Sequence, residues 1–186
     1  MHSVPSRRRR SVINNGSEAL YDRSTVKGGD VDEAVNGIAE ETHRKLAVDL
    51  FNRVWELLDK ADRTPEEADE MVHAAHASRH HWGEIGTPLE FERGEWQISR
   101  VYSVLGRPES ALHHAKRCLE ICEANGIGDF DIAFAYEALA RAHAIAGGKT
   151  KAGEYLTLAE KAATAVEDEG NREYTLGEVA SVKDLL

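Results

Sequence analysis

Two sets of side chains in this sequence combine residue types and spacings that chemistry can use. The first is Asp69, His73, His76 and His80, a D-x3-H-x2-H-x3-H stripe whose members fall within about 60° of arc on a helix turning ~100° per residue. These donor types suit zinc or another divalent transition metal. Three ligands on one straight helix do not easily surround an ion, so such a site needs a further group from the loop 83–90 or from a partner chain. The apolar face of the same helix, Ala68, Met71, Val72, Ala75 and Trp82, points nearly the other way. The stripe reads either as a solvated polar face or as the centre of a metal-binding protein or metal-dependent enzyme. The second set is His114, Cys118 and Cys122, at i, i+4 and i+8, which invites a metal or redox reading.

Other chemistries leave no trace. No nucleophile motif, glycine-rich phosphate loop or paired-carboxylate signature is present. Gly126-x-Gly128 precedes a helix but follows no strand, so it is a weak nucleotide signal. No run approaches the ~18 apolar residues of a membrane span, and no membrane partner is expected. The only two cysteines lie four apart on one expected helix, for which a reducing, cytoplasmic setting is the simpler reading. The net charge of −10 is uneven. Residues 1–30 carry Arg7, Arg8, Arg9, Arg10, Arg23 and Lys27 against Glu18, Asp22 and Asp30, so the rest of the chain is more acidic still. An acidic body repels phosphate backbones, which argues against nucleic acid as its partner.

The elements that would hold these residues are helices. Residues 1–30 lack apolar periodicity and read as a disordered basic tail, and residues 31–186 read as one domain. From about Val31 the pattern is helical, with Leu46, Leu50, Val54, Leu57 and Leu58 as an apolar stripe flanked by Phe51 and Trp55. Thr64-Pro65-Glu66-Glu67 supplies a capping hydroxyl, a proline at the first helical position and a carboxylate three residues after the cap. The helix it opens should run to about Trp82, where Gly83 and Gly86 break it. Thr87-Pro88-Leu89-Glu90 repeats the chemistry for a helix to about Leu105. Gly106-Arg107-Pro108 then launches a helix to about Asn125, followed by helices over about Asp131 to Ala146 and Thr150 to Glu169. Gly170-Asn171 should end that last one and cap a final helix bearing Tyr174, Val179 and Val182.

Small residues seven apart recur on the second helix of each pair: Ala68 and Ala75, Ala111 and Cys118, Ala152 and Ala159. A two-helix unit recurring about every 40 residues signals a stacked array in which each hairpin buries its face against its neighbours. Cys118 stands where the other units have alanine, so small core packing accounts for it better than metal or redox chemistry. Ile98-Ser99, Tyr102, Gly106, Ala111, Ala115 and Cys118, then Leu139-Ala140, His143, Gly147, Ala152, Leu156 and Ala159, resemble the tetratricopeptide repeat family over residues 91–161. The resemblance implies an all-α, right-handed superhelix of about three hairpins with a C-terminal capping helix.

On the third helix Phe91, Ile98, Tyr102 and Leu105 share a face expected to pack on its own hairpin mate. The opposite face carries Leu89, Arg93, Trp96 and Arg100, and its equivalent one repeat later carries Phe130, Phe134, Glu137 and Arg141. In the family that these units resemble, first helices line a concave groove. The resemblance therefore implies that Arg93, Trp96, Arg100, Phe134, Glu137 and Arg141 border one, where a guanidinium fork beside aromatic area suits a peptide or carboxylate. Packing of the aromatics between repeats, with the arginines in surface pairs with Glu92, Glu95 and Glu137, is the other reading of these residues. The expected function is a non-catalytic binding module for a peptide segment or partner protein. Homodimerisation through the terminal hairpins is compatible with it.

Overall fold

The computed structural model describes residues 39–186, so the basic tail and the start of the first expected helix lie outside the described residues. Within them are seven helices and no strand: α1 Glu40–Leu58, α2 Pro65–Ile85, α3 Pro88–Val104, α4 Pro108–Asn125, α5 Asp129–Ile145, α6 Lys149–Thr164 and α7 Glu169–Lys183. Pro65, Pro88 and Pro108 each occupy the first helical position, where the missing N–H has no intrahelical acceptor to lose. Both expected capping boxes form. Thr64 Oγ1 accepts from Glu67 N while Glu67 Oε2 accepts from Thr64 N, and Thr87 and Glu90 reciprocate at the start of α3. Gly106 and Gly147 close successive hairpins at φ of 66° and 76°, a left-handed backbone that costs glycine little.

Three boundaries differ from the sequence reading. α2 continues through Gly83 and stops only at Gly86, because a lone glycine weakens a helix by about 1 kcal/mol without breaking it. α5 starts two residues early, at Asp129, which itself carries a φ of 52°. α6 ends at Thr164 rather than near Glu169, and Asp168, not Asn171, caps α7 by accepting from Asn171 N at 2.8 Å. Val166, in the connection, is 2% exposed, so burial of one apolar side chain goes with the turn.

Consecutive helices pack against one another in chain order, and α3 also meets α1 and α5, as α5 meets α7. The core lies in the seams between hairpins. Val54, Leu57, Met71, Ala74 and Ala75 of α1 and α2 close on Ile98 and Val101 of α3, with Tyr102 and Leu105 at the margin. The face of α3 expected to cover its own mate thus covers the preceding hairpin. A second seam joins Trp96 of α3 and Ala115, Cys118 and Cys122 of α4 to Phe134, Ala135, Ala138 and Leu139 of α5. The third joins Ala133, Ala140 and Ala144 to Ala152, Leu156, Ala159 and Ala163 of α6 and to Val179 and Val182 of α7. Buried polar side chains pin the helices to one another. Ser78 Oγ donates to Ala47 O at 2.7 Å, Gln97 Nε2 to Phe51 O at 3.0 Å and Ser99 Oγ to Ala111 O at 3.0 Å.

Candidate functional site

The first helices α1, α3, α5 and α7 each contribute one aromatic ring to a continuous ladder. Trp55 lies 5.6 Å from Trp96, Trp96 lies 5.1 Å from Phe134, and Phe134 lies 5.9 Å from Tyr174, between ring centroids. The inner rungs Trp96 and Phe134 are buried, whereas the end rungs Trp55 and Tyr174 are half-exposed. Tilted ring pairs of this kind add about 0.5–1.5 kcal/mol beyond area burial, so the ladder also stiffens the stack.

Beside it runs a ladder of charges. Arg93 Nε and Nη2 grip both carboxylate oxygens of Asp131 at 2.8 and 3.0 Å, and its guanidinium sits 5.3 Å from the Phe130 ring. Arg141 Nε donates to Glu137 Oε1 at 2.6 Å, and Arg100 Nη1 reaches the same oxygen at 3.4 Å. Trp96 Nε1 donates to Glu137 Oε2 at 3.4 Å. Arg100 Nη2 continues to Glu178 at 3.1 Å, and Arg141 Nη2 to Ser181 Oγ at 2.7 Å. The structure therefore gathers Trp96, Arg100, Phe134, Glu137 and Arg141 with one another and with α7, while Arg93 stands apart on Asp131. Glu137 is 1% exposed and Arg141 8%, so these are interior pairs and not the surface pairs that the sequence suggests. Of the expected acidic partners, Glu137 pairs with Arg100 and Arg141 and Glu92 lies 3.6 Å from Arg93, whereas Glu95 is taken by Arg79 and His114, and Asp131 and Glu178 complete the set.

One turn along α3, Glu92 and Glu95 divide the His114, Cys118 and Cys122 set between them. His114 Nδ1 and Glu95 Oε2 are 2.7 Å apart, and the imidazole stacks on Tyr102 at 5.7 Å. His114 and Arg79 hold the Glu95 carboxyl below its usual range although burial works in the other direction. Cys118 and Cys122, both free and fully buried, turn to Glu92 instead. Cys118 Sγ donates to Glu92 Oε2 at 3.3 Å and Cys122 Sγ stands 3.8 Å from the same oxygen. Glu92 is 1% exposed, and its Oε1 accepts no hydrogen bond, Arg93 Nε being 3.6 Å off. Burial, then the charge of Asp131 and then Cys122, push the Glu92 carboxyl up to about 10. A proton on Glu92 lets it donate to Asp131, which reconciles an acceptor without a donor with a carboxylate neighbour. Cys118 is raised as well, by its hydrogen bond to Cys122 and then by burial.

Of the other histidines, His76 packs on His114 with ring centroids 5.4 Å apart. Asp69, His73, His76 and His80 all remain on the exposed side of α2. His76 Nε2 meets Tyr102 Oη at 3.0 Å. Among the described residues, Glu92, Cys118 and Cys122 are the only three or more His, Cys, Asp or Glu side chains with donor atoms gathered within 4.8 Å. His143 stacks on Tyr155 at 5.6 Å. His43 and His81, which the sequence does not single out, bring their Nδ1 atoms to 3.0 Å across α1 and α2.

Glu92 is the residue that sequence reasoning missed. It shares a buried face of α3 with Trp96, Ser99 and Ser103, at i+4, i+7 and i+11, a face too polar for hydropathy patterning to mark as interior. Among the described residues no helix is long and apolar enough to cross a membrane. Comparison of the chain with family models, curated proteins and solved structures found no match.

Proposed function

We propose that the chain is a non-catalytic binding module of the tetratricopeptide-like kind, with its hairpins wound as a right-handed superhelix and a peptide segment or partner protein held along its first helices. The observation that carries this reading is the aromatic ladder Trp55–Trp96–Phe134–Tyr174, which follows α1, α3, α5 and α7 and leaves its end rungs half-exposed. Rigid aromatic faces supply contact area at low entropic cost, which is why they anchor protein interfaces. The arginines act behind that surface. Paired with Asp131, Glu137 and Glu178, they fix the spacing of the rungs in preference to meeting a ligand carboxylate themselves. Free buried thiols suit a reducing compartment.

The test uses aliphatic substitutions. Trp55→Leu/Tyr174→Leu keeps both positions apolar and removes the rings of the two half-buried end rungs. Native co-purification followed by mass spectrometry should then lose the partner that the unaltered chain retains, with the helical circular dichroism unchanged. An identical set of retained proteins in both samples refutes the reading.

A further inference from the structure

The Glu92, Cys118 and Cys122 cluster is an unusual thing to bury. α4 presents two thiols one turn apart, α3 presents a carboxylate whose Oε2 lies 3.3 and 3.8 Å from the two sulfurs, and all three side chains are at most 1% exposed. The Oε1 of Glu92, out of contact with water, accepts no hydrogen bond and has Arg93 Nε 3.6 Å away. Two thiols and a carboxylate converging out of water are more than the packing of this seam requires. Neighbouring units need only alanine at the position of Cys118, since Ala75 and Ala159 fill it without loss of burial.

We propose that Glu92, Cys118 and Cys122 form a binding site for one zinc-class divalent ion. Donor atoms within 4.8 Å of one another can close on a common centre, given Zn–S bonds of about 2.3 Å and Zn–O bonds of about 2.0–2.2 Å. Two thiolates select zinc, cobalt or cadmium over magnesium and calcium, which prefer all-oxygen shells. The carboxylate supplies the third ligand. Asp131, in the first turn of α5 and gripped by Arg93, neighbours Glu92 as an outer partner. An ion there ties α3 to α4 just inside the α4–α5 connection, in the seam that carries the inner rungs of the ladder. The site is separate from the His73, His76 and His80 stripe, whose donors are not gathered in this way.

The full chain, produced without a histidine tag and stripped with chelator, is loaded with Zn2+ or Co2+ and freed of excess ion. The expected content is about one ion per chain, as for a closed three- or four-donor site. The cobalt form should show intense thiolate-to-metal charge-transfer absorption. Cys118→Ala, which installs the residue of the other units, should abolish that absorption and keep the helical signal. Glu92→Gln should weaken zinc binding by at least about 10-fold. Less than about a tenth of an ion per chain overturns the proposal, because a closed structural site stays loaded when excess ion is removed. So does a cobalt spectrum without the charge-transfer band, or one that persists in Cys118→Ala/Cys122→Ala. The spectrum of the unaltered chain decides the matter even where a variant fails to fold.

Discussion

Glu92 concentrates the physics of this molecule at the scale of one residue. In the metal-free protein its carboxyl is held up to about 10, first by burial and then by Asp131 and Cys122, whereas in the unfolded chain it takes the ordinary value near 4.5. The folded state therefore keeps a proton that the unfolded state releases, and this group's contribution falls as pH rises from about 4.5 toward about 10. Glu92→Gln is neutral at every pH and should remove that slope. In chelator-treated samples the melting temperature of the variant should gain on the unaltered protein between pH 5 and pH 8 on the order of the linkage expected for one buried carboxyl, and parallel profiles would show that Glu92 is ionised inside the fold. Arg141 makes the opposite kind of case. Arg141→Ala strips Glu137, 1% exposed, of its 2.6 Å partner and should cost about 3–5 kcal/mol by denaturant unfolding. A loss under about 0.5 kcal/mol, typical of a surface change, would contradict the burial of this pair. At this scale sequence reading was half successful. Cys118 was legible as a small core position because the repeat puts alanine there. The burial of Glu92 and of the arginine pairs was not, since periodicity assigns charged residues to the solvent side and cannot see a partner 30 or 40 residues away.

Helix α3 is the element on which the rest depends, because it packs against α1, α2, α4 and α5. Toward α2 it is shaped by Gly94. A Cβ there would come within 2.6 Å of Arg79 Cδ and 3.3 Å of Arg79 Cβ, and Arg79 is already committed to the Phe91 ring at 4.5 Å and to Glu95 at 3.1 Å. Helix propensity alone makes Gly94→Ala a gain of about 0.5–1 kcal/mol, while overpacking costs about 1–3 kcal/mol. We expect the clash to win, with a net loss on the order of 1 kcal/mol in urea unfolding, and a gain would mean that α2 and α3 stand further apart than described. Element boundaries were legible wherever local chemistry sets them. Thr64 with Glu67, Thr87 with Glu90 and three prolines at first helical positions mark starts that any context would respect. The α6–α7 boundary was hidden because no glycine or proline ends α6. What ends it is the burial of Val166 together with the Asp168 cap, while Gly170-Asn171, which looks like a stop, is absorbed into the first turn of α7.

For the whole molecule the governing fact is that its core is distributed over seams between hairpins, closed at one end by α7. Charged side chains cross these seams, from α3 to α5 and on to α7. The buried positions Ala75, Ala111, Cys118, Ala152 and Ala159 were readable because close helix approach demands small residues. The aromatic ladder was not, because its rungs are spaced 41, 38 and 40 residues apart and a single fixed offset sets Trp96 against Glu137 instead of Phe134. The claim that this ladder is a recognition surface has one direct test. A photo-crosslinking side chain is placed at position 174, on the half-exposed last rung, and in a separate sample at position 116, exposed on α4. Irradiation in the native lysate should join a partner to position 174 and not to position 116, and loss of that product in Trp55→Leu would tie it to the whole ladder. Equal capture at both positions, or capture at 116 alone, would contradict the account.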